Sequence, residues 1–324
     1  MVSRDKITRN YIGRVGFFIV GEPKSGTTAL AHFLAQHPSV SMPSHKEPHF
    51  FCTDSILESD RFHGKQLYFH VRNHKQYNAL FSEDNKLKGD ASTGYLYSKS
   101  AAENIHKYNP RAKIIIMLRN PIDFLHSLHT QYVNESTENI IDFQEALAAE
   151  KKRKEDWADL SNNVRCPSYL YYSERIKYAE QIKRYIKLFV RDQLLILTHE
   201  EFKNDNDKTY KKVLEFLELN NNFKPNFTTI HASKTPRSVI VNRIIHNPYL
   251  KTTLYKILGS GAYTALHKQV NKLLLVPEVR EKIPTDLRRK LSKKFAHEVE
   301  KTNKLLDYDY GSLWKIKYQQ TSFN

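Results

Sequence analysis

The segment GEPKSGTT, which begins at Gly21, has the side chains of a phosphate-binding loop, but its lysine is displaced. The pattern for a nucleoside triphosphate is G-x-x-x-x-G-K-[ST], and here Gly21 and Gly26 have the required spacing while Thr28 supplies the hydroxyl. Thr27 stands at the lysine position, and Lys24 lies three residues earlier. The segment therefore predicts a phosphate cradle whose cation acts at a different place from that of a kinase.

A carboxylate and an imidazole stand two residues apart in the segment KEPHFF, at Glu47 and His49. Either side chain can take the proton that an attacking hydroxyl or amine must lose. In an extended segment the two positions share one face, so both side chains would point into one cleft. The structural alternative is that Glu47 pairs with Lys46 or Lys24 while His49 packs against the two phenylalanines that follow it.

The glycine-bracketed loop lies between a predicted strand and a predicted helix. Val15–Val20 is a short apolar run that ends at glycine, which is typical of a strand buried on both faces. After the loop, apolar residues at helical spacing continue until Pro38. The N-terminus of such a helix presents free N–H groups and the positive end of its dipole to an anion.

Further apolar runs predict a parallel sheet. Lys113–Leu118, Leu194–Leu197 and Leu87–Ala91 have the composition of buried strands, and Ile122–Val133 is compatible with a helix. Short strands that alternate with helices indicate an α/β fold, a three-layer sandwich with a central parallel sheet covered on both sides. The C-terminal third is predicted to be mainly helical, most clearly over Leu287–Leu306.

The composition indicates one folded domain over residues 1–324, with its core at about 14–314. The chain is 40% apolar and its few glycines and prolines form no linker. Two distant cysteines, Cys52 and Cys166, argue against a disulfide framework and leave one bridge open. The apolar runs are shorter than a membrane span, and no apolar signal segment begins the chain. A cytoplasmic protein is expected if the N-terminus is native, and a trimmed Golgi or luminal domain is the alternative.

A net charge of +16 predicts an anionic partner without selecting among nucleic acid, acidic glycan, acidic carrier protein and phosphorylated cofactor. We expect no nucleic-acid partner, because the motifs of RNA- and DNA-binding folds are missing and aromatics such as Tyr169 and Tyr185 have helical core spacing. His126 and His129 lie one helical turn apart, but no further ligand set accompanies them. No metal site is therefore predicted.

Five segments in order resemble the sulfotransferase family that uses 3′-phosphoadenosine 5′-phosphosulfate (PAPS), most closely its carbohydrate branch, with heparan sulfate sulfotransferases and bacterial relatives. They are GEPKSGTTAL, KEPHFF, GDASTGYLY, IIIMLRNPIDFLHSL and DYDYGSLW. The resemblance extends roughly from Val15 to Trp314. It implies the P-loop-like sulfotransferase fold and in-line transfer of a sulfuryl group from PAPS to an acceptor hydroxyl or amine. The family needs no metal, and its nucleotide product is 3′-phosphoadenosine 5′-phosphate (PAP).

The resemblance implies that the loop wraps the 5′-phosphate of PAPS. Backbone N–H groups around Gly26 and the hydroxyls of Ser25, Thr27 and Thr28 would contact the phosphate oxygens. Lys24 would act at the oxygen that bridges phosphate and sulfate, where negative charge grows as the S–O bond breaks. A cation at this position favours the transition state over the ground state.

The segment RNPIDFLHS resembles the part of the family that binds the 3′-phosphate. The arginine at the strand end and the serine eight residues later match Arg119 and Ser127. The planar fork of arginine suits this task because it meets two phosphate oxygens at once. A second arginine, common in the family, is replaced here by Phe124, so Lys234 or Arg237 is expected to supply part of the charge.

In the carbohydrate branch a glutamate at the position of Glu47 is the base, whereas a histidine does this work in the small-molecule branch. The spelling of KEPHFF favours Glu47, with His49 orienting it or contacting the acceptor.

The segment GDASTGYLY resembles the part of the carbohydrate branch that contacts the acceptor. It places Asp90, Ser92 and Tyr95 along the acceptor cleft. Ala91 and Thr93 replace a lysine and a proline that are common there, which weakens the case for a heparan-like acceptor.

Two other functions stay open at this stage, a nucleotide or metabolite kinase and a basic nucleic-acid-binding protein. An anionic glycan or other hydroxyl compound fits the positive charge, but a carrier-bound or lipid-linked acceptor would fit equally. The apolar stretch 250–276 is compatible with a lid, a dimer contact or a membrane-surface helix. The sequence does not determine the oligomeric state.

Overall fold

The computed structural model describes residues 13–227, 234–236, 257, 269, 275–277 and 282–316. The chain divides into two compact units, and each is described by itself. The first unit combines Met1–Phe124, Glu174–Thr228 and Arg289–Asn324. The second combines Leu125–Ser173 and Thr229–Arg288. The single-domain organisation expected from the composition stays a prediction.

The first unit is built around a five-stranded sheet in the order β2-β3-β1-β4-β5, in which every neighbouring pair is parallel. Its strands are β1 Phe17–Gly21, β2 Val40–Ser41, β3 Leu87–Asp90, β4 Lys113–Leu118 and β5 Leu194–Thr198. The central parallel sheet predicted from the apolar runs is confirmed. The sequence patterns did not indicate the two-residue strand β2.

Helices follow most strands, as expected for parallel strands that need crossover connections. In chain order the helices are α1 Thr27–Ala35, α2 Thr53–His63, α3 His74–Asn78, α4 Ala101–Tyr108, α5 Pro121–Asn134, α6 Phe143–Ala148, α7 Glu150–Glu155, α8 Tyr172–Arg175, α9 Tyr178–Ile186, α10 His199–Asn204, α11 Asn206–Phe216, α12 Thr285–Leu306 and α13 Tyr310–Trp314. Short 3₁₀ helices cover Pro167–Leu170 and Arg191–Gln193. The helical C-terminal part is confirmed, and the amphipathic stretch 169–186 is divided among a 3₁₀ helix, α8 and α9.

The middle strands form the core of the first unit. All five residues of β1 are buried, and so are the last five of the six residues of β4. Continuous apolar strands are required here because helices cover both faces of a parallel sheet. Val20 lies opposite Ile116, and Ile116 lies opposite Ile196, so the three strands share one apolar layer.

The order of the strands decides where a site can form. The strand β1 lies between β3 and β4. The connection that leaves β1 runs to β2 on one side, and the connection from β3 passes β1 to reach β4 on the other side. In open α/β sheets a crevice forms at such a switch point, outside the carboxyl ends of the strands. The residues that follow β1, β3 and β4 are Glu22, Ala91 and Arg119, and each begins a segment predicted to carry function.

The second unit contains a small antiparallel pair of strands, β6 Lys234–Pro236 and β7 Leu275–Pro277. It also contains a buried ion pair, in which the Arg153 guanidinium donates to both Glu138 oxygens at 2.8 and 2.7 Å. The Tyr172 hydroxyl donates a third bond to Glu138 at 2.9 Å. The backbone amide of Ile140 donates a fourth bond to Glu138 at 2.9 Å. Because these bonds compensate the buried carboxylate, loss of one partner would destabilise the unit.

Both cysteines, Cys52 and Cys166, are buried free thiols, so the bridge left open by the sequence does not form. Among the residues that the structure describes, no helix combines the length and apolar character needed to cross a membrane. The apolar stretch 250–276 lies outside the described residues except at four positions, and its role stays unassigned.

Candidate active site

The loop after β1 passes so close to β4 that two of its positions require glycine. A Cβ atom at Gly21 would lie 2.8 Å from the carbonyl oxygen of Met117. Gly26 has φ +95°, a left-handed conformation, and a Cβ there would lie 3.3 Å from Nδ1 of His199. Since side chains are excluded at both positions, the backbone N–H groups at the start of α1 can approach a ligand directly.

The loop fits an anionic ligand such as a phosphate. The N-cap of α1 is Gly26, so no side chain satisfies the first amides of this nine-residue helix. Ser25 is fully buried, and its hydroxyl has no hydrogen-bond partner among the described residues. Thr27 is also buried and Thr28 is partly exposed. A buried unsatisfied hydroxyl beside an uncapped helix N-terminus is expected where a bound anion completes the hydrogen bonds.

Lys24 occupies a strained position at the turn of the loop. Its φ is +66°, a left-handed value that is uncommon for a residue with a side chain. Nη1 of Arg119, which follows β4, donates to the Lys24 carbonyl oxygen at 2.7 Å. The structure therefore brings together two of the predicted donor-site residues, and the guanidinium holds the lysine's backbone in place.

The turn that carries Arg119 is fastened by a network that sequence reasoning did not predict. The Tyr178 hydroxyl donates to the Arg119 carbonyl at 3.0 Å, and the side-chain oxygen of Asn120 accepts from the first amides of α5. Nδ2 of Asn120 donates to the Trp314 carbonyl at 2.9 Å. Glu200 accepts from both the Asn120 amide and the Trp314 indole, each at 3.1 Å. The C-terminal segment DYDYGSLW thus positions the donor-site turn.

A buried ion pair lies within the loop itself. Glu22 is fully buried, and its carboxylate accepts a hydrogen bond from the guanidinium of Arg175. The same guanidinium lies over the ring of Tyr97, 4.3 Å from its centroid. Burial raises the pKa of Glu22, and the charge and hydrogen bond of Arg175 oppose this rise. The sequence indicated this ion pair only through Glu22, an acidic residue inside a loop predicted to bind an anion. The negative charge of Glu22 requires a nearby cation.

The side chains of Glu47 and His49 lie close together because the backbone turns between them. The sequence analysis expected an extended segment, and that expectation is wrong. Both residues have left-handed φ values, +53° and +52°. Nε2 of His49 nevertheless lies 3.5 Å from Oε2 of Glu47. The Thr93 hydroxyl donates to the same oxygen at 2.8 Å, and Nζ of Lys46 lies 3.4 Å from Oε1. The pairing with Lys46 considered as a structural alternative is therefore also present.

The surroundings of Glu47 favour its charged form. Burial by itself raises the pKa of this carboxyl, but His49, Lys46 and Thr93 outweigh burial and lower the pKa to about 2. Glu47 is consequently ionised at neutral pH and able to accept a proton. It becomes a strong base only when some of these stabilising contacts are lost.

The residues predicted to contact the acceptor form a buried network. Asp90, Ser92 and Tyr95 are fully buried, and their contact with an acceptor stays a prediction. Asp90 accepts hydrogen bonds from Tyr77 and Tyr95 at 2.8 Å and from Ser92 at 2.7 Å. Burial raises the pKa of Asp90, and these hydroxyl donors oppose the rise. The Ser92 oxygen also accepts from the His49 amide at 3.1 Å, so the network supports the turn that carries His49.

Three other predicted donor residues belong to the second unit by position. Ser127 lies on α5, and its buried hydroxyl has no hydrogen-bond partner in the described part of the chain. Lys234 begins β6, but its side chain is not described, and Arg237 lies outside the described residues. Their roles stay predictions. Within the ranges that the structure describes, no three His, Cys, Asp or Glu side chains gather as metal ligands would.

The family follows from comparison with known proteins. A family model described as the sulfotransferase domain matches residues 16–235, more than half of the chain. The chain therefore belongs to the sulfotransferase family, and the resemblance seen in the sequence is confirmed.

Individual relatives agree with this assignment. The chain is 26% identical to mouse carbohydrate sulfotransferase 15 in an alignment of 244 positions that covers 63% of this chain and 43% of that protein. It is 26% identical to human bifunctional heparan sulfate N-deacetylase/N-sulfotransferase 2 in an alignment of 211 positions that covers 62% of this chain and 22% of that protein. The matches thus span less than half of these relatives. The crystal structure of a sulfotransferase from Alicyclobacillus acidocaldarius has a TM-score of 0.66 and 26% identity, covering 93% of this chain and 99% of that one.

Replacing Glu47 by Gln tests the electrostatic environment of this carboxylate. Its pKa in the folded protein, about 2, is below the ordinary value of 4.5, so the ionised group stabilises the fold above pH 4.5. That contribution is lost as the pH falls from 4.5 toward 2. We expect Glu47→Gln to lower the free energy of unfolding at pH 7, and the difference from wild type to shrink on acidification. Urea titrations across this range measure it. The exposed Glu83→Gln is the control, and a pH-independent difference for Glu47→Gln would contradict the assignment.

Proposed function

We propose that the protein transfers a sulfuryl group from PAPS to a hydroxyl or amine of a carbohydrate acceptor. The observation that carries the proposal is the loop after β1, with its uncapped helix N-terminus, the buried unpaired hydroxyl of Ser25 and the displaced Lys24. Membership of the sulfotransferase family supports the reaction class. The carbohydrate and heparan sulfate relatives support a glycan as the acceptor.

The first unit supplies groups suited to hold the donor. When bound, PAPS would provide the activated sulfuryl group that the reaction requires. The amides at the start of α1 and the hydroxyls of Ser25, Thr27 and Thr28 would hold its 5′-phosphate. Arg119 would hold the 3′-phosphate through its guanidinium group, and the sequence resemblance adds Ser127.

Lys24 is the cation that offsets the negative charge left on the departing phosphate oxygen. Its left-handed backbone and the bond from Arg119 limit how its Cα can move. A charge held in place before the reaction pays little reorganisation cost in the transition state. The same argument explains why Thr27 can occupy the position of the kinase lysine, because no γ-phosphoryl group has to be held.

Glu47 takes the proton of the attacking hydroxyl. The carboxylate is ionised at neutral pH and keeps part of its surface open to solvent. His49 orients it from 3.5 Å, and the Asp90 network fixes the backbone of His49. An acceptor hydroxyl that replaces the Thr93 hydroxyl would donate the same hydrogen bond to Glu47, which places its proton for transfer to the carboxylate as the oxygen attacks sulfur.

Binding and transfer assays test this function against a kinase activity. Isothermal titration should show binding of PAP and none of comparable strength for ATP with Mg²⁺. Incubation with ³⁵S-labelled PAPS and a panel of sugars, lipids and small alcohols should label a carbohydrate. Preference for ATP–Mg²⁺ would establish the kinase alternative, and transfer only to lipids or small alcohols would refute the carbohydrate acceptor.

Replacing Lys24 by Ala should slow the chemical step. Loss of one preorganised charge that acts on the leaving oxygen lowers kcat by about 10²- to 10³-fold. The affinity for PAP, which lacks the sulfate, should change little because the loop amides remain. Steady-state kinetics and PAP titration measure the two effects, with the exposed Lys99→Ala as control. A kcat near that of wild type would remove Lys24 from the mechanism.

Replacing Arg119 by Ala should mainly weaken donor binding. A charged hydrogen-bonding partner of phosphate contributes about 1.5–3 kcal/mol, so we expect the donor KM to rise about 10- to 100-fold. Arg119→Lys keeps the charge but loses the planar fork, so its donor KM should lie between those of wild type and Arg119→Ala. The exposed Arg61→Ala is the matched control. An unchanged donor KM in both Arg119 variants would show that another residue anchors the 3′-phosphate.

A further inference from the structure

The long helix α12 presents a continuous row of basic side chains to solvent. Each residue advances about 100° around a helix, so positions 290, 293, 294, 297, 301 and 304 fall within an arc of about 100°. The basic stripe, as we define it, consists of Lys290, Lys293, Lys294, His297, Lys301 and Lys304, all of them exposed. On the other side of the helix, Leu291, Phe295 and Val299 are buried. The stripe extends over about 21 Å.

The charges at one end of the stripe are uncompensated. Lys290, Lys293 and Lys294 form no ion pair with any acidic residue in the described part of the chain. The other end differs, because Lys301 and Lys304 lie 2.8 and 2.7 Å from glutamate oxygens on the flanks of the stripe. The uncompensated end therefore concentrates positive potential on one helical face.

This arrangement opposes the local rules of helix stability. Like charges three or four residues apart destabilise a helix by about 0.2–0.5 kcal/mol per pair. Lys290 has that spacing to both Lys293 and Lys294, and His297 continues the row. Lys294 lies over the ring of Phe295, 5.9 Å from its centroid, but none of the three lysines at this end has an ion pair among the described residues. A row of like charges without acidic partners is expected where an external anion binds.

The side chains of α12 indicate which class of polyanion fits the basic stripe. Its apolar face is buried in the protein and so cannot insert into a membrane, as an interfacial helix would. The stripe contains no Phe, Tyr or Trp on which nucleic-acid bases could stack. A regular row of cations without stacking or insertion groups suits a linear, highly charged chain.

We propose that the basic stripe of α12 binds an anionic polysaccharide; the choice of a polysaccharide rests on the proposed function. Helix α13 follows α12 closely, and Trp314 in α13 is hydrogen-bonded to the turn that carries Arg119. A polymer held on the stripe is therefore tethered to the unit that contains the loop and Lys24. Tethering raises the effective concentration of acceptor groups without a new contact at the reacting centre.

Heparin fragments of defined length test the stripe. The variant Lys290→Gln/Lys293→Gln/Lys294→Gln should bind heparin about tenfold more weakly than wild type at about 0.15 M salt, with a shallower salt dependence. The control Lys151→Gln/Lys183→Gln/Lys187→Gln removes the same charge from exposed lysines elsewhere. An equal loss in both variants, or no loss in the stripe variant, would overturn the proposal.

Parallel titrations identify the polyanion and separate this proposal from the enzymatic one. A stripe-dependent affinity for duplex DNA or for phosphatidylserine vesicles that exceeds the affinity for heparin would overturn the polysaccharide assignment. PAP titration of both variants reports the fold and the donor site, and we expect it to match wild type. Failure of the proposed function would appear as absent PAP binding or transfer in wild type, whereas failure of the stripe would appear in the heparin, DNA and vesicle titrations and leave PAP binding unchanged.

Discussion

The hydrogen bond from the Arg119 guanidinium to the Lys24 carbonyl joins the two segments on which the active site depends. It is possible because β1 and β4 are parallel neighbours whose carboxyl ends meet at one edge of the sheet. The bond restrains a loop whose key lysine has an unfavourable backbone conformation. Strain of this kind persists only where the surrounding structure over-determines it. Tyr178, Asn120 and the C-terminal helix α13 supply that surrounding structure.

Three carboxylates in the first unit have their charge stabilised by different kinds of partner. Glu22 is neutralised by a buried guanidinium, and Asp90 is satisfied by three hydroxyl donors. Glu47 remains partly open, with the Lys46 ammonium group, the His49 ring and the Thr93 hydroxyl nearby. Because the buried carboxylates already have their partners, they serve as supports, whereas Glu47 keeps the capacity to accept a proton. The different surroundings distinguish the two buried carboxylates from Glu47, the proposed base, within the same unit.

Positive charge is distributed differently at the proposed donor site and on helix α12. At the carboxyl ends of β1 and β4 it is concentrated on Lys24 and Arg119, which suit a compact anion such as a nucleotide phosphate. On α12 it is spread along a helical face, which suits a long anion. The net charge of +16 thus includes both local, geometrically fixed cations and an extended field. Recognition of the donor needs the local, fixed cations, whereas capture of a polymer needs only the extended field.

The sequence alone determined the strands β1, β4 and β5 and the glycine-bracketed loop, because apolar periodicity and glycine spacing are local properties of the chain. The family was indicated separately, by the resemblance of five segments in order, and the family model confirmed it. The sequence also indicated Glu47 and His49 together, although by the wrong backbone conformation. Only the tertiary structure decided that Asp90 is a buried support and that Trp314 fastens Asn120, a residue 194 positions earlier. Those outcomes depend on burial and on contacts between distant segments, and no pattern within one segment specifies which distant group will complete its hydrogen bonds.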